Sequence, residues 1–436
     1  MALRIDSEWL DVDPDVKPEF DATFGRLGID ANGHWLTAFE TQHGSRGDRL
    51  EVPAYPLAEW IAENWWALIH EPEKDSSSKQ DPGFRSRHWL GTAREGFALP
   101  DTWIFSGGRA SVEIQNKATL FTHARMVLPT ELSARLAVEE AELALRTFVT
   151  AVVARLDEKG LKDTLLQQIW SIFGELDQDE RRFARLLGAM GLSPYAEEGG
   201  IEVILNDFMK SASERVTEDL CEASDHGDFV GAAEDTLRSL KELDREPEID
   251  LSSIFSIGQL RARKPWRLGL DAANAVRERL NISATDSKGG VSFFDQLKIT
   301  DLLSENGGFR ETEDPVVHGS LRRNADRLQT NLIRIKSVSR RFDAARSCFL
   351  AWNQASEGER LITKARVADQ QASRAFAAEL LAPIKYIRSR TSNNFLSPFR
   401  AVEIADELSV SPAVVTWQAN NNGINIVGNR QQTRSN

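Results

Sequence analysis

The sequence has few of the residues and segments that define several large protein classes. Its 436 residues include only two cysteines, Cys221 and Cys348, and neither lies in a CxxC pair, which excludes a disulfide framework and a zinc ribbon. No apolar run approaches the ~20 residues of a membrane-spanning helix. The first residues contain no basic segment followed by an apolar one. We therefore expect a cytoplasmic protein that contacts no membrane.

The composition is that of an ordinary globular chain, with 41% hydrophobic and 27% charged residues. This length leaves room for two or three domains with sizeable cores. The charge is unevenly spread: from Ser320 onward there are 18 lysines and arginines against nine acidic residues, a balance of +9, whereas the first 319 residues carry −22. A basic end can attract nucleic acid or an acidic protein surface. Docking of the basic end onto the acidic body of the same chain is the alternative.

The N-terminal quarter is rich in tryptophan and has the pattern of a mixed domain. Seven of the 11 tryptophans lie between Trp9 and Trp103. Polar and apolar residues alternate over 34–40, 102–106 and 111–115, as in strands, and two glycines at 107–108 predict a hairpin turn. Residues 57–69 have apolar positions at helical spacing. We predict an α+β domain over residues 1–125.

The rest of the chain has mainly helical periodicity. A long helix is predicted to open at Thr130, with Leu132, Leu136 and Leu143 on its inner face. Further helices are predicted over residues 161–176, 178–190, 201–223, 231–243 and 265–280. The predicted domains after the first are a helical domain (126–245), a helical connector (246–320), a C-terminal domain (321–424) and a tail (425–436). The expected fold class is therefore mainly α with a small α+β N-terminal domain.

Two motifs near the C-terminus carry a resemblance to a known family. They are AFAAELLAP at residues 375–383 and IADELSVS at residues 404–411. This pair resembles the ImmA/IrrE family of bacterial metallopeptidase-like proteins, which joins a FAAELL helix to a helix-turn-helix-like segment. The resemblance covers residues 340–421. It implies a helical, zincin-like C-terminal domain and an association with repressor cleavage, phage defence, toxin–antitoxin systems and mobile elements.

The zinc-binding motif of that family is degenerate in this sequence. RRFDAARSCFL at residues 340–350 stands where the family has approximately RRFTLAHELGH. The resemblance places the first zinc-binding histidine at Arg346, the general-base glutamate at Ser347 and the second histidine at Leu350. Arginine does not release its proton at ordinary pH, and leucine has no ligand atom. We therefore predict no bound metal, no cofactor and no zinc peptidase activity.

The family's third ligand is an acidic residue just upstream of FAAELL, where this chain has QQASR, and Asp369 is the nearest carboxylate. A buried Arg346 is then expected to form a salt bridge with Asp369 or Glu379. In the alternative, the old metal cavity holds an anionic ligand or a partner's carboxylate. Its candidate residues are Arg346, Ser347, Leu350, Asp369 and Glu379.

The segment after the FAAELL motif also has features of a DNA-binding unit. A second helix is predicted to begin at Ser411–Pro412. Its outward side chains could hydrogen-bond base edges, while nearby arginines would neutralise phosphates. The candidate DNA-binding residues are Arg388, Arg390, Arg400, Thr416, Gln418 and Asn420. Residues 411–423 contain no lysine or arginine, which argues against a DNA reader.

A metal-dependent nuclease is the second enzymatic alternative. Asp101 follows a proline and precedes a predicted strand, Glu113 lies on the next strand, and Lys117 comes shortly after. Adjacent carboxylates of this kind can hold Mg²⁺ at a scissile phosphate while a lysine assists the attacking water. The same spacing is common at ordinary turns, which is the competing interpretation.

The function predicted from sequence is a non-catalytic, ImmA/IrrE-like pseudoenzyme that binds a protein partner in a bacterial defence, toxin–antitoxin or mobile-element module. Three alternatives stay open: the nuclease, a peptidase with a rebuilt metal site, and a DNA-binding regulator acting through the basic C-terminal part.

Overall fold

The computed structural model describes residues 3–11, 17–195, 200–262, 264–300, 303, 315–391 and 393–426. About half of the chain is helical and a fifth is strand, so the protein is a mixed α+β molecule with several small sheets. The chain forms two compact units, residues 1–200 and 201–436. No helix in the described ranges is long and apolar enough to cross a membrane.

The first unit contains eleven short strands and seven α-helices within its described residues. The strands are β1 (Leu3–Trp9), β2 (Phe24–Ala31), β3 (His34–Trp35), β4 (Phe39–Thr41), β5 (Arg46–Gly47), β6 (Leu50–Pro53), β7 (Asp101–Ser106), β8 (Ser111–Lys117), β9 (Thr119–Phe121), β10 (Met126–Leu128) and β11 (Leu132–Ala137). The helices are α1 (Pro18–Ala22), α2 (Tyr55–Glu63), α3 (Trp65–His70), α4 (Pro82–His88), α5 (Val138–Glu158), α6 (Leu165–Glu175) and α7 (Gln178–Ala189).

Three antiparallel sheets organise this unit. In the first, β2 pairs with β1, β3 and β6; the second has the order β5-β4-β10-β9, and the third β11-β8-β7. The predicted hairpin is confirmed: β7 and β8 pair over six positions, and the Gly107 N–H donates to the Ser111 carbonyl. One hydrophobic core runs through the unit from Leu3 to Ala184.

The long helix predicted from Thr130 is partly wrong. Residues Leu132–Ala137 form β11, which pairs with β8, and α5 begins only at Val138. Leu143, expected on the inner face, is 67% exposed. Because β11 and α5 complete the sheet and core of the first unit, that unit extends to residue 200 rather than ending at 125.

The second unit combines eleven helices with six strands within its described residues. The helices are α8 (Ile201–Ser211), α9 (Glu214–Ala223), α10 (His226–Leu243), α11 (Ser252–Phe255), α12 (Pro265–Arg279), α13 (Gly289–Leu297), α14 (Ser337–Asn353), α15 (Ala368–Leu381), α16 (Ile384–Ser389), α17 (Pro398–Leu408) and α18 (Pro412–Asn421). The strands are β12 (Ile249–Asp250), β13 (Val317–Asn324), β14 (Arg327–Leu332), β15 (Gly358–Thr363), β16 (Phe395–Leu396) and β17 (Asn425–Ile426).

An antiparallel sheet of order β12-β14-β13-β15 forms the centre of this unit. Helices α14 and α15 pack on each other and α12 packs along α15. The rings of Phe349 and Phe376 lie 5.3 Å apart between α14 and α15. Both residues are fully buried in the core of the second unit, so the FAAELL motif is a core helix.

Several predicted boundaries in this part of the chain are corrected. Residues 201–223 form two helices, because Ser213 caps a new helix through its side chain. The predicted connector contributes β12 to the sheet and α12 to the core, and the predicted boundary at 321 falls inside β13. The predicted tail begins with β17, which pairs with β16; residues 427–436 lie outside the described part. The helix predicted over 265–280 is confirmed.

Candidate functional site

The degenerate zinc motif lies on the inner face of α14, between the sheet and α15. Asp343, Arg346, Ser347 and Leu350 are all buried there. In chain order, the surrounding elements are the β13–β14 hairpin, α14, the edge strand β15 and α15. The side chains that the motif meets therefore come from β13, β15 and α15.

The guanidinium of Arg346 is fully buried and bound on all three nitrogens. Nε donates to Ser373 Oγ at 3.1 Å, and Nη2 donates to the Thr363 carbonyl at 2.7 Å and to Gln370 Oε1 at 2.6 Å. Nη1 lies 2.9 Å from Nδ1 of His318. Because a guanidinium only donates, Nδ1 of His318 accepts this hydrogen bond.

The acidic partner of Arg346 is Asp343, one helical turn earlier. Nη1 of Arg346 lies 3.5 Å from Asp343 Oδ1, and Nε of Arg334 donates to Oδ2 at 2.7 Å. Burial alone would raise the pKa of Asp343, but the charge of Arg334 reverses this effect and the pKa falls to about 2. Burial, followed by the nearby charge of Arg374, lowers the pKa of Arg346 to about 9. Both groups are thus charged at neutral pH.

The expected salt bridge from Arg346 to Asp369 or Glu379 is wrong. Asp369 accepts from Nη1 of Arg360 at 2.9 Å. Glu379 accepts from the side chain of Gln418 at 2.8 Å, and its burial raises its pKa. The carboxylate beside the arginine is instead that of Asp343, because residues i and i+3 lie on the same face of a helix.

The five candidate cavity residues do not line a common cavity. Ser347 donates to the Ala344 carbonyl at 2.8 Å within α14, and Leu350 is part of the hydrophobic core. The guanidinium of Arg346 occupies the polar space between α14, β15 and α15. These residues do not fit a zinc ion, and among the described residues no group of three histidine, cysteine or acidic side chains is arranged to hold a metal.

Among the described residues, β15 has a strand neighbour only on its β13 side, and side chains form hydrogen bonds with backbone groups on its other edge. The Leu361 N–H donates to Asp219 Oδ2 at 3.0 Å. The amide of Gln370 donates to the Leu361 carbonyl at 2.8 Å and accepts from the Thr363 N–H at 3.3 Å. An amide side chain has one donor and one acceptor group, so Gln370 pairs with β15 as a neighbouring strand would.

Asp219 belongs to a buried charged cluster on α9 that the sequence analysis missed. Arg360 of β15 donates to both of its carboxylate oxygens at 3.2 and 3.0 Å. Arg215 lies 3.1 Å from both Glu218 and Asp219. Nothing local indicates this cluster, because α9 and β15 lie about 140 residues apart in sequence.

The orientation of α18 contradicts the predicted DNA-binding face. Gln418 is only 7% exposed and points inward, where it donates to Glu379 and to the Ala382 carbonyl. The Thr416 hydroxyl donates to the Pro412 carbonyl of its own helix. Of the three polar side chains expected to read bases, only Asn420 is exposed, while Thr416 is half-buried.

The three arginines expected to contact phosphates have partners within the protein. Arg388 donates to the Asn422 carbonyl at 3.1 Å, and Arg390 forms an ion pair with Glu407. Arg400 lies 2.5 Å from Glu403. This segment therefore presents less free positive charge than its sequence indicates.

Large apolar side chains are exposed on the same C-terminal segment. Phe399 is 73% exposed and Trp417 is 60% exposed, while Phe395 and Val402 are also well exposed. Exposed aromatic residues of this size are typical of surfaces that bind other molecules. The sequence analysis did not single them out.

The candidate nuclease residues are not brought together. Lys117 pairs with Asp101 across the hairpin, but Glu113 pairs with Phe105, four residues further along β7. At ~3.3 Å per residue this separates the two carboxylates by roughly 13 Å along the strands, too far to share one Mg²⁺. Asp101 accepts from the Trp89 indole at 2.6 Å, and Glu113 forms an ion pair with Arg135.

A second polar cluster missed from sequence lies inside the first unit. Glu71 accepts two hydrogen bonds from Arg87, both at 2.7 Å, and lies 2.9 Å from Nε2 of His88. Nδ1 of His88 lies 2.7 Å from the Ile104 carbonyl, which can only accept, so Nδ1 carries a proton. This cluster joins α4 to β7 and the end of α3, which gives it a structural role.

Comparison with known proteins gives no relative for this chain: no protein-family model, no curated protein and no solved structure matches it. The resemblance to the ImmA/IrrE family thus depends on the two C-terminal motifs and the degenerate zinc motif.

Proposed function

We propose that this chain is a non-catalytic, ImmA/IrrE-like protein that acts by binding a protein partner in a bacterial defence, toxin–antitoxin or mobile-element module. The observation that carries the proposal is the buried guanidinium of Arg346. It stands at the position that the resemblance assigns to the first zinc-binding histidine, and Ser373, His318, Thr363 and Gln370 satisfy it from within the protein.

The chemistry of this position argues against a peptidase with a rebuilt metal site. A zinc peptidase needs three protein ligands and an open position for water. A guanidinium beside the metal would repel it, and moving Arg346 out would leave the buried acceptors around it without donors. On the edge of β15, side chains also occupy the backbone groups of Leu361 and Thr363, which are therefore not free to pair with an extended substrate.

The binding function is supported by the exposed aromatic residues of the C-terminal segment. Phe399 and Trp417 offer large apolar surfaces that a protein partner would cover. The DNA-binding alternative is less well supported, because Gln418 is buried and the three arginines bind groups of the same chain.

The first test is the metal content of the full chain, purified without chelators and analysed by elemental mass spectrometry. We expect far less than one zinc per chain and no peptidase activity after zinc is added. A variant in which both cysteines are alanine controls for zinc bound adventitiously to thiols. One equivalent of zinc that survives dialysis and both cysteine substitutions would overturn the proposal.

A second experiment tests the binding of a protein partner. A photo-crosslinking amino acid replaces Trp417, and the same amino acid at position 143, which is exposed in the first unit, is the control. We expect one discrete protein adduct from position 417 and none from position 143. Excess unlabelled protein should suppress the adduct, whereas excess Phe399→Ala protein should suppress it poorly. Equal competition by both proteins would remove this surface from the proposed function.

A further inference from the structure

A short basic segment with an exposed tryptophan leads into α12 in the second unit. Residues 251–270 contain four lysines and arginines and no acidic residue, although they lie in the part of the chain whose net charge is negative. Arg261, Lys264, Trp266 and Arg267 are all exposed, and the area formed by these four side chains is called the Trp266 surface below. None of the four belongs to the C-terminal segment or to the network around Arg346.

The backbone that carries the Trp266 surface is held against the core of the second unit. Ile257 and Leu260 pack on that core, and Leu260 directly precedes Arg261. Pro265 is buried and stands in the first turn of α12, where its ring fixes the backbone at the helix start. One turn later, Gly269 lies against the backbone of α15. The exposed side chains therefore project from a fixed backbone.

The positive charge of this surface is only partly neutralised. Arg267 lies 3.2 Å from Asp271 in an exposed ion pair, which solvent screens. Within the described residues, the side chains of Arg261 and Lys264 form no hydrogen bond or ion pair. Lys264 precedes α12 without a side-chain cap, and the first turn contains no acidic residue, so the partial positive charge of the helix end adds to these cations. The surface therefore attracts anions.

The indole of Trp266 indicates which kind of anion fits this surface. Half of its side chain is exposed. A free aromatic ring beside arginine and lysine suits single-stranded nucleic acid, because unpaired bases stack on the ring while phosphates contact the cations. An acidic protein segment would need the cations but not the ring.

An anionic membrane fits this surface less well. A helix that lies on a membrane needs several apolar residues on its outer face. Apart from Trp266, the apolar residues of α12 are buried or half-buried in the protein. A single tryptophan would then be the only apolar contact with lipid.

We propose that the Trp266 surface binds single-stranded nucleic acid. One base stacks on the indole of Trp266, and backbone phosphates on the same strand lie beside Arg261 and Lys264. Cα atoms three residues apart are separated by at most roughly 10 Å, so these two long side chains reach phosphates close to the stacked base. Stacking and phosphate contacts do not read base edges, so binding tolerates any sequence. This site is additional to the surface of the proposed protein partner and does not depend on it.

Fluorescence anisotropy of a labelled oligothymidylate of about 20 nucleotides, titrated with the full chain, tests the proposal. We expect saturable binding that weakens between about 50 and 200 mM salt, with a slope of log K against log salt concentration of about −0.7 for each phosphate contacted. A duplex of the same length should bind more weakly, because its bases stack on each other and are not available to Trp266.

Substitutions separate stacking from charge. Trp266→Ala should lower the affinity at least about fivefold and leave the salt slope unchanged, because it removes a stacking ring and no charge; Trp266→Phe should retain part of the affinity. Lys264→Gln should reduce the magnitude of the slope by about 0.7 and weaken the binding of single strands and duplexes alike. Lys298→Gln is the matched control, since Lys298 is exposed elsewhere in the second unit, and it should change neither quantity.

Trp417→Ala distinguishes this site from the DNA-binding segment predicted near the C-terminus. Trp417 is also exposed, and its loss should not change the affinity for oligothymidylate. A loss of affinity with Trp417→Ala but not with Trp266→Ala would move the site to the C-terminal segment and overturn the proposal.

Three further results would overturn it: no saturable binding at about 50 mM salt, an unchanged affinity with Trp266→Ala, or competition by polyglutamate or phosphatidylserine vesicles as effective as that by unlabelled oligothymidylate at equal negative charge. The last result would assign the surface to an acidic protein or to a membrane. If Trp266→Ala does not fold, the unmodified chain decides the question, since equal affinity for single strand and duplex contradicts stacking on Trp266.

Discussion

At the residue scale, Arg346 is a fully buried cation of the second unit whose three guanidinium nitrogens all form hydrogen bonds within the protein. A buried charge is tolerated only when its hydrogen bonds are made. Arg346 meets this condition because it bonds to β13, β15 and α15 at once. The guanidinium thus links α14 to β13, β15 and α15.

Removal of this guanidinium is expected to destabilise the protein strongly. Arg346→Met keeps much of the side-chain volume but leaves buried acceptors at Thr363 and Gln370 unpaired, so we expect a loss of about 3–5 kcal/mol in the free energy of unfolding. Arg346→Lys should lose less, because an ammonium retains the charge and three donors. Urea unfolding of the full chain measures both.

Arg390→Met is the control for this prediction, since Arg390 forms a partly exposed ion pair with Glu407. Its loss should lower the free energy of unfolding far less than the loss of the buried guanidinium, because solvent screens an exposed pair. A similar small effect at position 346 would show that the buried network contributes little to stability.

The sequence singled out Arg346 but predicted the wrong carboxylate partners for it. That Arg346 replaces a metal ligand stays a prediction of the resemblance, whereas Asp343 was available as a partner from its i, i+3 spacing alone. The other partners, His318 and Gln370, could not be inferred, because they reach Arg346 only after β13 and α15 have packed around α14.

At the scale of elements, the close packing of α12 on α15 depends on Gly269. A Cβ atom at this position would collide with the Ala372 carbonyl oxygen and would lie 2.7 Å from the Phe376 nitrogen, both on the backbone of α15. Glycine lowers helix stability, but here it permits two helices to approach closely. The FAAELL helix is held by this contact.

Gly269→Ala is therefore expected to destabilise the second unit by about 2 kcal/mol or more, although alanine has the higher helix propensity. Thermal unfolding followed by circular dichroism measures the effect. Gly231→Ala is the matched control, because Gly231 lies inside α10 with open space around its Cβ position; it should stabilise by up to about 1 kcal/mol. Stabilisation by both substitutions would contradict the packing argument.

Helices and strands could be predicted where the local sequence pattern fits only one type of secondary structure. Residues 265–279 have a proline at the first turn and a helical apolar stripe, and they form α12. Leu132 and Leu136 fit a helix at i, i+4, but Leu132, Ala134 and Leu136 fit a strand equally well. These residues form a strand because they pair with β8. The local sequence does not indicate this pairing.

At the scale of the whole molecule, the chain is divided by its cores and not by its composition. The end of the tryptophan-rich region suggested a boundary at 125, yet the first hydrophobic core continues through Leu145, Val149 and Leu166 to Ala184. A second core runs from Ile249 to Ile424. Composition changed within one unit because the helices that complete the core are polar on their outer faces.

Each unit should therefore fold as a separate fragment. Residues 1–200 and 201–436 each contain complete sheets and a continuous core, so we expect each fragment to be soluble and to unfold cooperatively in urea. The fragment 1–125 is the matched control. It lacks β10 and β11 and the α5 face that covers the core, which leaves the edge of β8 and a large apolar surface exposed. We expect it to aggregate or to unfold without a cooperative transition, whereas cooperative unfolding of 1–125 would place the boundary where the sequence composition changes.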